Sequence, residues 1–334
     1  MATIRDVAKL AGVAISTASA AINRSAPVSE EVIAKVEEAV REIGYVPHGA
    51  AQSLRSGQSR LIGLIVPNIS NPHFSAVAHI IENACLNAGY LSMAFSTGQD
   101  SERESQILRM LRQQRVAGLI IIPTRSDAAH GERLARELHV PTVLLDMYVE
   151  GLPHDVLKLD NVAASRIATE HLIRLGHRRI AVLTGIPGLI TSEDRLAGYL
   201  EAHRRAGIDV DPALLLAGDF KEETARASVR AVMTGAMPPT ALVSINNMMT
   251  MGALHALREL GLRAPADVSF VGIDDFDFAD LIDPPLTVVR VPVAEMTVRS
   301  IEVLLDEIAG KRPPTGRVEV FQPTLVVRES ARAV

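Results

Sequence analysis

Residues 61–95 read LIGLIVPNISNPHFSAVAHIIENACLNAGYLSMAF and contain one complete strand–helix–strand unit. The stretch opens with a largely aliphatic run at 61–66 and ends with another at 91–95, each of the length of a buried strand. Between them, residues 75–88 have the apolar spacing of a helix, and Gly89 supplies a helix stop. Two strands joined through a helix pair in parallel, so this stretch predicts a sheet that is covered by helices.

The same alternation continues toward the carboxyl end of the chain. Further strand-sized runs lie at 118–122, 142–145, 180–183, 241–245 and 268–272. Further helical stretches lie at 101–115, 161–175, 194–206, 222–234 and 248–260. Glycine follows three of these helices, at Gly176, Gly207 and Gly261. Units of this kind form parallel sheets with helices on both faces, and because there are too many for one compact sheet we expect two α/β lobes.

The amino-terminal residues follow a different pattern. We predict three helices there, over 4–11, 16–22 and 29–43. Thr3 is the expected N-cap of the first helix, with Asp6 at the capping-box position, and Ser29 is the expected N-cap of the third. Gly12 separates the first two helices. Two short helices joined by a glycine turn and supported by a third are typical of a helix-turn-helix.

Composition limits the classes of function that are open to this chain. It has 334 residues, 48% of them hydrophobic and 22% charged, as in ordinary folded proteins, and its formal net charge is −5. A chain that coats nucleic acid by charge alone is excluded, although residues 1–60 carry seven basic against six acidic side chains. Cys85 is the single cysteine, and there is neither a secretory signal nor a membrane-length apolar run. We therefore expect a cytoplasmic protein with no membrane partner.

Eight motifs, in one order along the chain, carry a resemblance to a known family. They are TIRDVAKLAGVAISTASAAIN (3–23), VSEEVIAKVEEAVREIGYVP (28–47), AAQSLRSG (50–57), GLIVPNISNPHF (63–74), EHLIRLGHRRIAVLTG (170–185), DRLAGY (194–199), ALRELGLRAPADVSFVGIDDF (256–276) and PPLTVVR (284–290). The chain thereby resembles the LacI family of bacterial transcription repressors over essentially its whole length.

The resemblance implies three parts with different roles. Residues 1–46 would form a helix-turn-helix DNA-binding headpiece, 47–59 a hinge helix or linker, and 60–334 a two-lobed effector-binding and dimerisation core. Such a core is similar to periplasmic sugar-binding proteins and has parallel sheets. The implied partners are double-stranded operator DNA of pseudo-palindromic sequence, a second copy of the chain and a small effector. An effector that closes the lobes would alter the separation of the paired headpieces and hence operator affinity.

The second helix carries the expected base contacts. Ile15, Ser16 and Ala20 match the positions at which the family reads sequence, and the hydroxyls of Ser16, Thr17 and Ser19 suit phosphate oxygens. Ala20 stands where arginine is frequent, which favours contact with a thymine methyl over guanine reading. The alternative is that Ile15 and Ala20 pack inside the headpiece, although Val7, Ala8, Ala18 and Ile22 have better core spacing. The candidate DNA-binding residues are Thr3, Ile15, Ser16, Thr17, Ser19, Ala20, Asn23, Gln52, Leu54 and Arg55.

The hinge segment AAQSLRS is too short to be a stable isolated helix, so it should fold only when docked. The resemblance implies a helix in the minor groove with a leucine wedged between base steps, and Leu54 occupies that position. Gln52 stands where arginine is common, which weakens the expected groove contact. An ordinary solvated linker is the alternative.

The resemblance also implies an effector site built from separated loops. Its matching residues are Phe74, Asp146, Arg195, Phe220, Asn246 and Asp274, with His73, Thr191 and Ser192 as rim candidates. A guanidinium and a carboxylate can each bind neighbouring hydroxyls, and phenylalanine can cover the apolar face of a sugar ring. We therefore expect a sugar or a sugar acid, with Arg125 or His73 available for an acidic group. A purine is the alternative, and structural ion pairs or core contacts are the non-functional interpretation of these residues.

Motifs for enzyme chemistry are missing from the sequence. There is no G-x-S-x-G, G-x-G-x-x-G, P-loop or H-E-x-x-H pattern, so we expect no catalytic residues, no metal and no cofactor. A transporter-associated periplasmic sugar-binding protein would account for the core but not for residues 1–60. A carbohydrate-active enzyme is a second rival. The sequence favours a dimeric, effector-responsive repressor of carbohydrate metabolism genes and leaves a tetramer open.

Overall fold

The structure is a computed structural model that describes residues 2–24, 26–45, 59–276 and 278–334. The chain forms two compact units, Met1–Ser59 and Arg60–Val334. Along the described chain, no helix is both long enough and apolar enough to cross a membrane.

The first unit contains the three predicted helices, with ends that differ from the prediction by a residue or two. They are α1 (Ile4–Leu10), α2 (Ile15–Asn23) and α3 (Glu30–Ile43). Thr3 caps α1 as predicted, because its backbone N–H and its hydroxyl donate to Asp6 Oδ2 over 2.8 and 2.7 Å. Gly12, with φ of +66°, separates α1 from α2 in a conformation that favours glycine.

Small apolar side chains hold these three helices together. Val7 and Ala8 of α1, Ala18 of α2 and Val36 of α3 are buried, and Ile22 packs against them from a half-buried position. Small residues let short helices approach closely, which a unit of this size needs to bury enough apolar surface. The core residues predicted from helical spacing are thus confirmed.

The second unit alternates strands and helices from end to end. Its elements in chain order are β1 (Leu61–Val66), α4 (Pro72–Asn87), β2 (Leu91–Ser96), α5 (Ser101–Gln113), β3 (Gly118–Ile121), α6 (Ala128–Glu137), β4 (Thr142–Leu145), β5 (Asp155–Leu159), α7 (Asn161–Arg174), β6 (Ile180–Thr184), α8 (Ile190–Ala206), β7 (Leu215–Ala217), α9 (Glu222–Met233), β8 (Ala241–Ser244), α10 (Asn247–Glu259), β9 (Ser269–Ile273), β10 (Thr287–Arg290), α11 (Val293–Ile308), β11 (Val318–Phe321) and β12 (Thr324–Val326).

These strands form the two predicted sheets, each with six strands. The first has the order β11-β5-β4-β3-β1-β2 and the second β12-β10-β9-β8-β6-β7. All pairs are parallel except β10 with β12. The strand order reverses beside β1 in the first sheet and beside β6 in the second. At these points consecutive connections run to opposite sides of the sheet and leave a crevice.

The chain passes between the two sheets three times. It leaves the first sheet after β5, returns to it after β10 through α11, which packs on α4, β3, β4 and β5, and leaves it again after β11. Each lobe is therefore built from separated parts of the chain. All seven predicted strands are present; β5, β7, β10, β11, β12, α6 and α11 were not predicted, and α4 and α8 begin three and four residues earlier than expected.

Candidate functional site

A cleft lies between the two lobes of the second unit. Its walls come from loops at the carboxyl ends of strands in both sheets: those after β1, β2, β3, β4 and β5 on one side, and those after β6, β7, β8 and β9 on the other. Ligands of doubly wound sheets bind outside these strand ends, at the point where the strand order reverses. The topology therefore makes this cleft the candidate ligand site.

Most of the predicted effector residues line this cleft. They are His73, Phe74, Asp146, Thr191, Arg195, Phe220, Asn246 and Asp274. Ser192 is the exception, because its side chain is buried against the chain at Gly185, where an added Cβ would lie 2.3 Å from Ser192 Oγ. The structure thus places Ser192 in the packing of α8 below the cleft wall. Arg125 does not line the cleft either; it is exposed and pairs with Asp127 over 2.9 Å.

The first lobe contributes a paired histidine and aspartate. His73 lies in the first turn of α4. This helix begins three residues before its predicted start because the side chain of Asn71 caps it, accepting from His73 N–H over 3.0 Å. His73 Nε2 lies 3.0 Å from Asp146 Oδ2, and both side chains are largely buried. Burial alone would lower the pKa of His73, but the charge of Asp146 and the hydrogen bond to it outweigh burial and raise it. The pair therefore favours an imidazolium next to a carboxylate.

The second lobe contributes a paired arginine and aspartate. Arg195 on α8 donates from Nε to Asn161 Oδ1 over 2.7 Å and from Nη1 to the carbonyl of Ile245. Its remaining nitrogen, Nη2, lies 4.0 Å from Asp274 Oδ1. This separation is too long for a direct hydrogen bond. Within the part of the chain that the structure describes, Asp274 Oδ1 is buried without a hydrogen-bond donor.

Strained backbone is concentrated at the cleft. Seven described residues other than glycine have positive φ, and five of them line it: Gln99, Asp146, Asp219, Phe220 and Asp274, with φ between +52° and +76°. Such conformations cost of the order of 1 kcal/mol or more and are retained where function requires a fixed side-chain direction. The loops after β4, β7 and β9 therefore hold their side chains in set orientations.

Two further residues complete the second-lobe wall. Asn246 is the N-cap of α10 and accepts from Met249 N–H over 2.9 Å, which orients its amide. Phe220 packs over Gly185, where an added Cβ would lie 2.4 Å from Phe220 Cζ, so only glycine allows the ring this position. An oriented amide and an apolar ring beside two ion pairs suit a small ligand with several hydroxyls and one apolar face.

Several polar cleft residues were not predicted. They are Asn68, Asn71, Gln99, Asn161, Asp219 and Lys221. Asn68, Asn71 and Gln99 follow predicted strands, so the rule that ligands bind at strand ends would have identified them. Asn161 and the pair Asp219 and Lys221 follow β5 and β7, which were not predicted. Among described histidine, cysteine, aspartate and glutamate residues, no group of three is arranged to hold a metal ion.

The predicted DNA-binding residues of the first unit differ in exposure. Ile15 is 44% exposed despite being apolar, Ser16 and Thr3 are exposed, and Thr17 and Ala20 are partly exposed. Ile15 therefore does not pack in the headpiece core. Ser19 is only 5% exposed, and its carbonyl accepts from Asn23 Nδ2 over 2.8 Å. The structure thus places Ser19 in the helix packing, while Gln52, Leu54 and Arg55 lie outside the described residues.

Comparison with known families finds two matching regions. Residues 3–48 match the family described as "Bacterial regulatory proteins, lacI family". Residues 169–331 match "Periplasmic binding protein-like domain". The first match covers the three-helix unit and the second covers much of the two-lobed unit.

Known proteins match this chain over nearly its whole length and nearly all of their own. The chain is 34% identical to the HTH-type transcriptional repressor PurR of Aliivibrio fischeri (strain MJ11), over 99% of this chain and 98% of that protein. It is 33% identical to the ribose operon repressor of Escherichia coli (strain K12), over 100% of both. The crystal structure of the lac repressor dimer bound to operator and the anti-inducer ONPF has a TM-score of 0.86 at 28% identity, with 99% of each chain covered.

Proposed function

The chain belongs to the LacI family of bacterial regulatory proteins, and on that basis we propose that it is a transcription repressor that binds a pseudo-palindromic operator as a homodimer and a sugar-like effector in the interlobe cleft. Residues 1–46 act as the DNA-binding headpiece, 47–59 as the hinge and 60–334 as the effector-binding and dimerisation core. Relatives at full length that are named as repressors support this proposal.

The observation that carries the proposal is the exposed start of α2. Ile15 and Ser16 project from the amino-terminal turn of a helix that is otherwise held by buried alanines. A recognition helix presents its first residues to base edges in the major groove. Ile15 is apolar and 44% exposed at this point, so in the major groove it can make an apolar contact with the methyl group of thymine.

Effector and operator affinities are linked in this proposal. A ligand that binds the two lobes more tightly in one arrangement than in another shifts the equilibrium between those arrangements. If the arrangements differ in operator affinity, operator and effector alter each other's binding by the same factor. The hinge residues Gln52, Leu54 and Arg55 contact the minor groove, with Leu54 as the wedge.

Gel-shift titration after selection from a randomised duplex library tests the proposal. The full-length protein is expected to select a sequence with two related half-sites and to lose affinity steeply with added salt. Ser16→Glu places a negative charge at the proposed phosphate contact and should abolish specific binding. Ala34→Glu adds the same charge at an exposed position of α3 and serves as the matched control. Selection of no sequence by the wild-type protein would reject the proposed function.

A further inference from the structure

Four charged side chains of the cleft form two ion pairs, one from each lobe. His73 with Asp146 belongs to the first lobe, and Arg195 with Asp274 belongs to the second. The pairs are close enough to act on each other, since Asp274 and Arg195 both influence the protonation of His73. The two cations of these pairs, His73 and Arg195, therefore each already have a carboxylate next to them.

Two bonds to the protein and a nearby carboxylate limit how Arg195 can bind an anion. A guanidinium recognises a carboxylate or a phosphate through two parallel N–H donors. Here Nε is bound to Asn161 and Nη1 to the carbonyl of Ile245, so that Nη2 remains, 4.0 Å from Asp274 Oδ1. A side-on contact with an anion would need Nε and would break its bond to Asn161. An end-on contact through the free N–H groups of Nη1 and Nη2 would bring the anion close to the Asp274 carboxylate, which lies 4.0 Å from Nη2.

The same geometry suits a hydroxyl group. A hydroxyl oxygen between Arg195 and Asp274 can accept from Nη2 and donate to Oδ1 at ordinary hydrogen-bond distances. Oδ1 is buried and has no donor within the described residues, and Asp274 is held by a positive φ of +76°. A buried carboxylate oxygen without a donor favours a ligand that supplies one.

We infer that the cleft selects an uncharged polyol and rejects the sugar acid or sugar phosphate of the same skeleton, with Asp274 as the residue that sets this selectivity. The inference rests on the proposed function and narrows its effector class. Arg125, which could have received an acidic group, lies away from the cleft. Lys221 lines the cleft and is exposed, with Asp219 two residues before it on the same wall.

Calorimetry on the full-length protein with matched ligand pairs tests the inference. The pairs are D-ribose with D-ribose 5-phosphate, D-glucose with D-glucuronate and D-galactose with D-galacturonate. The remaining aldopentoses and aldohexoses are also titrated as neutral sugars. At least one neutral sugar should bind, and an added negative charge should weaken its binding by about a hundredfold or more. Equal or tighter binding of a charged member, or binding by no neutral sugar, would overturn the inference.

Asp274→Asn keeps the shape of the side chain and removes its charge. The neutral sugar should bind more weakly, while the ratio between neutral and charged affinities should shrink by about tenfold or more, because the repulsion is gone. A merely structural role would lower both affinities and leave the ratio unchanged, which would contradict the inference. Asp280→Asn, at an exposed position, is the matched control for the ratio.

Two results separate this inference from the proposed function. Operator binding by the same preparation together with a preference for charged sugars would overturn the inference and leave the repressor assignment in place. A charged sugar that binds tightly to the wild-type protein and is lost in Lys221→Gln would also overturn it and would identify Lys221 as the anion contact. Failure to bind any duplex specifically would instead reject the proposed function.

Discussion

Arg195 donates from Nε to Asn161 Oδ1 over 2.7 Å, which ties the guanidinium in the cleft to the first residue of α7. Asn161 follows β5, at the point where the chain leaves the first sheet for the second lobe. The amide of Asn161 is almost completely buried, so the bond is shielded from water. The orientation of the ligand-facing arginine thus depends on one of the three connections between the lobes.

Replacing Asn161 should therefore weaken effector binding through Arg195. Asn161→Ala removes the acceptor for Nε, and a lost hydrogen bond to a charged group should reduce effector affinity by about tenfold. Asn161→Asp keeps an acceptor oxygen and should retain most of the affinity. Calorimetry with the best neutral sugar measures both variants. Equal affinity of wild type and Asn161→Ala would show that Arg195 does not need this support.

The titration of His73 should depend on Asp146. In the wild-type protein the pKa of His73 is expected above the ordinary value for histidine of about 6.5, because Asp146 outweighs burial. In Asp146→Asn, burial acts without the carboxylate, and the pKa should fall below that value. Nuclear magnetic resonance of the histidine ring nitrogens over pH 5 to 9, roughly the range in which histidine titrates, gives both midpoints. The same midpoint in both proteins would mean that the pair does not form.

Glu307 on α11 should make the stability of the core depend on pH. It is 6% exposed, and burial together with the nearby charge of Asp155 raises its pKa to about 7 from 4.5. Because the folded pKa is the higher one, the stabilising contribution is complete below pH 4.5 and is lost as the pH rises through about 7.

Thermal unfolding of Glu307→Gln over that pH range tests this dependence. The variant should have a higher Tm than the wild type at pH 8, where the native glutamate is charged, and the difference should vanish toward pH 4.5. Glu302→Gln, on the same helix with an exposed side chain, is the matched control. Parallel Tm curves for wild type and Glu307→Gln would contradict the prediction.

Ala20→Arg should change the operator sequence that the protein prefers. The substitution supplies two parallel donors that can read the O6 and N7 atoms of guanine, at a partly exposed position of α2. Selection from a randomised duplex library should therefore return guanine at one position in each half-site. Identical sequences selected by both proteins would show that Ala20 does not reach a base edge.

Much of the fold could be predicted because the alternation of strands and helices is strong in the middle of the chain. Three of the five missed strands are short or lie at an edge: β7 and β12 have three residues each, and β11 lies at an edge with alternate residues exposed. The other two, β5 and β10, lie inside their sheets and are as long as strands that were predicted. Helix α6 contains Gly131, which the sequence presents as a break. The structure explains it, because an added Cβ would lie 2.1 Å from the carbonyl oxygen of Glu150. Helix α11 has clear helical spacing and could have been predicted.

The cleft could be predicted less completely than the fold. The resemblance identified Arg195 and Asp274, but their 4.0 Å separation and the two other bonds of Arg195 depend on loops from different strands. The pairing of His73 with Asp146 joins residues 73 positions apart and has no local signal. The burial of Ser19 and Ser192 likewise depends on packing, which the spacing of hydroxyl residues does not reveal.

The most direct test of the account measures operator affinity of the full-length protein with and without a saturating neutral sugar, by fluorescence anisotropy on the selected duplex. Reciprocal linkage predicts that the sugar changes the operator Kd by at least about fivefold, and that the operator changes the sugar Kd by the same factor. In Asp274→Ala the sugar should lose about a hundredfold in affinity, and its effect on the operator Kd should disappear at the same concentration. An operator Kd that is unchanged when the cleft is saturated with sugar would contradict the account.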